Sequence, residues 1–340
     1  MKNVLVVGAG SIGIHLTQAC RRAGHDVTIV DVSDDALARL PDIYRQRYGA
    51  WDEAVRYENA STLLRQKPGF DWVFIGTPPD THVALAKQYA PFYPELLHIE
   101  KPLCRPGDDF AVFEALADED TILTVGYDHA VAKSTRKLVE LVREKKFGEV
   151  VSIDAFTYES WNGIMKAHPW LAGPHETYLG YFERGGGALC EHSHALHLGM
   201  LFAKEAGFGP LEFVSGAADI VSGPHGERYD RVGRLLMKGS DGRILAVGQD
   251  VVTTPTMKGV RIIAERGRLD LSFSPSMDTI LVYGEDGAEC ERHEFPKKRP
   301  DDFYELVLHY EQLTAGSGEA SPLTVDTGVA VMEMIAKVLR

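Results

Sequence analysis

The run Leu96-Leu97-His98-Ile99-Glu100-Lys101-Pro102 is apolar up to two charges and a proline. The carboxyl ends of strands in an open α/β sheet point into the crevice where ligands bind, so Lys101 is held out over a bound cofactor. Pro102 then ends the strand and fixes the backbone direction. Two solvated loop charges are the alternative for Glu100 and Lys101. A second chemically capable set follows Gly185-Gly186-Gly187: Glu191, His192, His194 and His197. Helical spacing after the glycines puts Glu191, His194 and His197, three apart, on roughly one face. A polar face aimed at a crevice fits this pattern, and the interleaved Ala188, Leu189, Leu196 and Leu198 weigh against a merely exposed helix. Imidazoles and a carboxylate so close together also suit zinc, but His192 falls off the shared face, and the reading adopted has no metal.

Cofactor chemistry is written at the start of the chain. Asn3 to Val7 reads as a strand, Gly8-Ala9-Gly10-Ser11-Ile12-Gly13 follows, and Ile14 to Ala23 carries helical spacing up to a Gly24 cap. Gly8 allows the tight turn, Gly10 lets the backbone approach a pyrophosphate, and Gly13 lets the helix pack on the strand. The start of that helix, at Ser11 and Ile12, faces the phosphates. A second strand, Val27 to Val30, ends in Asp31, which suits a ribose 2′-hydroxyl. A 2′-phosphate there meets Asp31, Asp34 and Asp35 with no cation before Arg39, so NAD is favoured over NADP. The other reading of Asp31 is an aspartate that starts a turn.

The elements that position these residues alternate. A weaker helical region breaks at Pro41, Ala54 to Glu58 and Asp71 to Ile75 read as strands, and Thr81 to Tyr93 as a helix. The rigid loop Gly76-Thr77-Pro78-Pro79-Asp80-Thr81-His82 lies at a strand's carboxyl end and lines the cofactor crevice through Thr77 and Pro78. His82 contacts the nicotinamide or ribose, or is an ordinary residue of the first helical turn. After the Lys101 strand come a helix (Gly107 to Ala117) and a strand (Thr121 to Val125) ending at Gly126-Tyr127-Asp128-His129. Five or six alternations by residue 126 make a complete doubly wound parallel sheet. The alternation then stops. A helix (Val131 to Lys145), a strand (Val151 to Tyr158) and strand-like runs from Val214 to Tyr283 predict an α+β domain with a large, open, mainly antiparallel sheet over 127–340. Two terminal helices, Asp301 to Ala315 and Asp326 to Arg340, are expected to pack back on the first domain. Between strand and glycines, Trp161, His168, Trp170, His175 and Tyr178 could stack on a sugar or form a cover over the sheet.

Composition narrows the partners. The 340 residues are 44% hydrophobic and 25% charged, ordinary for a globular protein, and no apolar stretch is long enough for a bilayer. A formal charge of −13 with no basic cluster argues against nucleic acid and anionic membranes and for a small molecule. The four scattered cysteines suggest neither disulfides nor a thiolate zinc site, and the reading is cytoplasmic. The open sheet offers a face for a homodimer or homotetramer.

In order and spacing, GAGSIG, GTPPDTH, HIEKPL and VGYDH resemble the Gfo/Idh/MocA family of NAD(P)-dependent oxidoreductases. The resemblance implies a Rossmann domain with the E-K-P lysine, Lys101, at the nicotinamide and Glu100 in the cofactor site. It likens the glycine-led helix to the family's GGG…D…H helix, with His194 in the histidine's place and Glu191 in the acid's. The chain departs from the pattern twice: Glu191 is longer than the usual Asp, and His197 stands where a subset has Asp. His168-Pro169-Trp170 matches a pattern of that subset, which makes Trp161, His168, Trp170 and His197 substrate candidates. The implied activity is hydride transfer between nicotinamide and a secondary alcohol or ketone of a sugar, cyclitol or sugar derivative. Alternatives of the same fold are a non-catalytic NAD-binding regulator and a lyase or hydrolase that uses bound NAD as internal redox agent.

Overall fold

Six short strands, β1 (Asn3–Val7), β2 (Asp26–Asp31), β3 (Arg56–Asn59), β4 (Trp72–Ile75), β5 (Leu96–Ile99) and β6 (Ile122–Val125), run parallel in the order 3-2-1-4-5-6. The computed structural model describes residues 1–66, 68–117, 120–167, 171–317 and 320–339. β4 and β5 are buried along their whole length, as strands covered on both faces must be. The strand order reverses between β1 and β4, and the carboxyl ends of these two strands carry the glycine turn and the Gly76 loop. The helices of this unit are α1 (Ser11–Arg22), α2 (Asp34–Tyr48), α3 (Ala60–Gln66), α4 (His82–Tyr89) and α5 (Ala111–Leu116).

Two expectations change here. α2 runs straight through Pro41. The proline removes one backbone hydrogen bond and costs about 3 kcal/mol. Against that stand the Ser33 hydroxyl accepting from the Ala36 N–H, two aspartates in the first turn, and the buried stripe Leu37, Leu40 and Tyr44. The helix expected over Thr81 to Tyr93 is shorter: α4 ends at Tyr89 and yields to a 3₁₀ turn at Ala90–Phe92, closed by Tyr93 in the left-handed region.

A second sheet is built from β7 (Val150–Tyr158), β8 (Leu211–Ser222), β9 (Arg228–Gly239), β10 (Ile244–Asp250), β11 (Met257–Ala264), β12 (Gly267–Ser272), β13 (Met277–Tyr283) and β14 (Glu289–Pro296) in the order 14-13-12-11-7-10-9-8. β7 and β10 pair in parallel and the remaining pairs are antiparallel. β14 is an edge strand dominated by charged side chains (Glu289, Glu291, Arg292 and Glu294), which hid it from the sequence reading. The accompanying helices are α6 (Lys133–Glu144), α7 (Asn162–Ala167), α8 (Gly187–Glu191) and α9 (His194–Glu205). α9 lies on one face of the sheet, its Gly199 fitted against Leu245 and Ala155. The opposite face is an open groove lined by Asp154, Phe156, Tyr158, Arg234 and Arg261 among others.

The last two helices part company. α10 (Asp301–Thr314) packs on α1, with Arg22 paired to Asp301 at 2.6 Å. α11 (Val325–Val338) lies with the second sheet, where Val338 approaches Gly216 and Lys337 covers the Phe213 ring. α10 thus belongs to the unit of the first sheet and α11, from Asp326 on, to that of the second. The described residues divide into two compact units: 1–104, 108–128 and 300–325 form one, and 105–107, 129–299 and 326 onward form the other. Among the described residues no helix is long and apolar enough to cross a membrane.

Candidate active site

The glycine turn forms the floor of a cofactor site. A Cβ on Gly13 would stand 1.8 Å from the Gly8 carbonyl oxygen, and Gly8 itself sits at φ +107° beside Thr77. Only glycine permits that contact between helix and strand. Gly10, the cap of α1, has no protein atom within 4 Å of its Cβ direction, so the backbone there is open to a ligand. The first N–H groups of α1, from Ser11 and Ile12 onward, lack intrahelical partners and form an anion cradle. Both features fit a dinucleotide pyrophosphate.

Asp31 is fixed from two sides. Its Oδ2 accepts from the Ala9 N–H at 2.8 Å and its Oδ1 from the Ser33 N–H at 2.9 Å. The turn-forming role and the ribose role are thus compatible, because each oxygen keeps a lone pair for a hydroxyl. We expect Asp31→Ser to weaken NAD binding about tenfold, through the lost charge-assisted bonds, and to narrow any preference over NADP by about tenfold more. Calorimetric titration with both dinucleotides checks this, and an unchanged NAD:NADP ratio would reduce Asp31 to a turn residue.

Thr77 is half-buried, its Oγ1 bonded to Thr81 Oγ1 at 2.6 Å, and Pro78 is exposed at the rim of the same loop. His82 behaves differently from its expectation. Its ring is fully buried, with Nδ1 facing the carbonyls of Pro102 (3.0 Å) and Leu103 (3.2 Å) and Nε2 facing that of Thr77 (2.8 Å). Burial holds its pKa below the usual histidine value. His82 therefore staples the Thr77 loop to the segment after Lys101, and contact with nicotinamide is corrected to positioning. Glu100 is also turned inward at 5% exposure; its carboxylate accepts from the Lys101 backbone N–H at 3.2 Å and lies 3.3 Å from His98 Nε2. Its place is behind the cofactor site. Lys101 follows half-buried, between buried Glu100 and buried Pro102.

In the second unit the residues after the glycines do not form one straight helix. The ladder of i−4 bonds tightens to i−3 at Ser193, bonded to Cys190, and again at Ala195, bonded to His192. One tight turn thus separates α8, which ends at Glu191, from α9, which starts at His194. Glu191 accepts from the Tyr178 hydroxyl at 3.1 Å. His194 opens α9 half-buried, whereas His192 and His197 are 4% and 3% exposed. His197 is thereby corrected from substrate contact to core. Trp161 is corrected likewise: at 6% exposure it packs with Leu179, Ala188 and Val251. His168 and Trp170 lie outside the described residues.

The ring of His194 stacks on that of His129 at 4.3 Å, and Phe273 backs His129 at 4.7 Å. His129 was missed as a site residue, although it stands in the VGYDH motif. Beneath α8, Asp230 of β9 is fully buried and accepts from the Leu189 N–H at 2.7 Å, while Gln249 of β10 donates to the Leu189 carbonyl at 3.1 Å. Two buried polar side chains thus seat a five-residue helix that is too short to be stable alone.

Residues 2–127 match the model of the Gfo/Idh/MocA oxidoreductase family, NAD-binding Rossmann fold. Residues 2–127 are thus an NAD-binding Rossmann domain of that family's type. No curated protein matches it in sequence. Solved structures similar to this chain include GenD2 from gentamicin A biosynthesis in complex with NAD, at a TM-score of 0.74 and 20% identity over 99% of this chain and 93% of that one. The aldose-aldose oxidoreductase from Caulobacter crescentus complexed with glycerol aligns at 0.77 and 16% over 99% and 96%. UDP-N-acetylglucosamine 3-dehydrogenase GnnA from Acidithiobacillus ferrooxidans gives 0.72 and 17% over 99% and 96%. At these identities the likeness is one of fold.

Proposed function

We propose that this oxidoreductase is an NAD-dependent dehydrogenase acting on a secondary alcohol of a sugar, cyclitol or sugar derivative, or on the corresponding ketone. The observation that carries the reading is the exposure pattern of the histidines: of the three in the glycine-led segment, two are buried and only His194 is presented, stacked on His129. The sugar class is supported by two fold relatives, an aldose-aldose oxidoreductase and a UDP-N-acetylglucosamine 3-dehydrogenase.

Bound NAD supplies the acceptor for the hydride that leaves the alcohol carbon. The chain's residues hold it and manage the proton. Asp31 takes the ribose hydroxyls, the first turn of α1 the pyrophosphate, and Lys101 the nicotinamide end. His194 accepts the hydroxyl proton, and Lys101 stabilises the developing alkoxide with its positive charge. Glu191, hydrogen-bonded to Tyr178, orients the substrate side of His194.

The test is NADH formation, followed by absorbance, over a panel of free aldoses, cyclitols, polyols, and UDP- and TDP-sugars, with the matching ketones assayed against NADH. Turnover of at least one sugar-class compound is expected. NAD binding with no redox turnover in either direction would overturn the proposal in favour of a binding protein of the same fold.

A further inference from the structure

We infer that Tyr310, His98 and Glu100 form a buried positioning relay that fixes the backbone at Lys101. The inference rests on the reading that Lys101 serves the nicotinamide end of the cofactor. Tyr310, from α10, lies 2.7 Å through its hydroxyl from His98 Nδ1; His98 Nε2 lies 3.3 Å from Glu100 Oε1; and Glu100 Oε2 accepts from the Lys101 N–H at 3.2 Å. Exposures along this path are 0%, 0% and 5%.

The chemistry of each member sets the direction of the bonds. Buried carboxylate oxygens require donors, so Nε2–H points at Glu100, and Nδ1 accepts from the Tyr310 hydroxyl. Burial keeps that hydroxyl protonated by pushing its pKa far up. The relay has rigid walls at both ends. Tyr310 is held by ring contacts with Trp72 and Phe74 at 6.4 and 5.9 Å, and a Cβ on Gly126 would stand 2.8 Å from the Glu100 carboxyl, so the β6 end confines the carboxylate.

None of these groups is placed to touch a ligand, and apolar side chains would fill the same space without needing donors or acceptors. A polar chain that ends on the backbone N–H of the one half-buried lysine at the end of β5 is explained by the need to hold that lysine's direction. Glu100 therefore acts through Lys101, and His98 and Tyr310 act through Glu100.

The test compares binding of NADH and of ADP-ribose, which lacks the nicotinamide, in Tyr310→Phe, His98→Leu, His98→Gln and Lys101→Met. Tyr310→Phe keeps the ring contacts and removes one hydroxyl. We expect Tyr310→Phe and His98→Leu to weaken NADH about fivefold while ADP-ribose stays within about twofold, on the scale of one lost hydrogen bond. His98→Gln retains a donor toward Glu100 and should restore most of the loss. If Lys101→Met shifts the NADH:ADP-ribose ratio and Tyr310→Phe and His98→Leu do not, the relay is overturned and the lysine reading stands. If Lys101→Met leaves the ratio unchanged, both fall. Parallel weakening of the two ligands would mark the three residues as core packing only, which also overturns the inference.

Discussion

Lys101→Met is expected to lower kcat on the best panel substrate by about two to four orders of magnitude, the range for loss of a group that manages charge or a proton in the transition state. Methionine keeps much of the length and apolar stem of lysine and removes only the ammonium, so α4, β5 and the Thr77 loop, tied together by His82, should stay in place. Binding of ADP-ribose should therefore remain within about twofold, because the glycine turn and Asp31 hold that half of the dinucleotide. His194→Asn is expected to fall in the same kcat range. Combining the two changes should cost little more than either alone, since groups that serve one transition state are not additive. Steady-state and burst kinetics on the three variants check this. A kcat within about threefold of the parent for Lys101→Met would remove the lysine from the mechanism.

How much of this was legible in the sequence depends on how local each feature is. The glycine turn, Asp31 and Lys101 are fixed by neighbours within one β/α unit: a strand, a glycine where a Cβ would strike a carbonyl, and a helix start leave little freedom. Sequence spacing therefore carries nearly all the information. The partners that orient these residues come from far along the chain. Tyr310 meets His98 across 212 residues, Asp230 meets Leu189 across 41, and His129 stacks on His194. No local pattern announces such pairs. Errors of facing arose the same way. Trp161 and His197 belong to residue types that stack on ligands as readily as they fill cores, and only the packed neighbours decide between the two. Glu100 and His82 sit in the expected loops but face inward, because both side chains are occupied by backbone groups of adjacent segments.

The second large effect is on stability and its pH dependence, at the seat of α8. Asp230 is fully buried, and burial raises its pKa to about 7 despite the Leu189 N–H that favours the charged form. An unfolded aspartate titrates near 4. The folded chain thus binds this proton more tightly than the unfolded chain. The resulting stabilisation is present in full below about pH 4, declines as pH rises toward 7, and is absent above, a change on the order of 4 kcal/mol. Asp230→Asn keeps an acceptor for the Leu189 N–H and removes the titration. The difference between parent and variant unfolding free energies, measured in urea from pH 4.5 to 8, should therefore fall with pH in favour of the variant. A difference curve that is flat over this range would show that Asp230 carries no raised pKa. Gly187 closes the same argument from the other side. It sits at φ +82° with its Cβ direction 1.8 Å from Asp230 Oδ1, so Gly187→Ala combines backbone strain with a collision. Its cost should be about 3 kcal/mol or more at every pH, since neither cause titrates. One helix seat would then show both kinds of dependence: a charge effect that moves with pH and a steric one that does not.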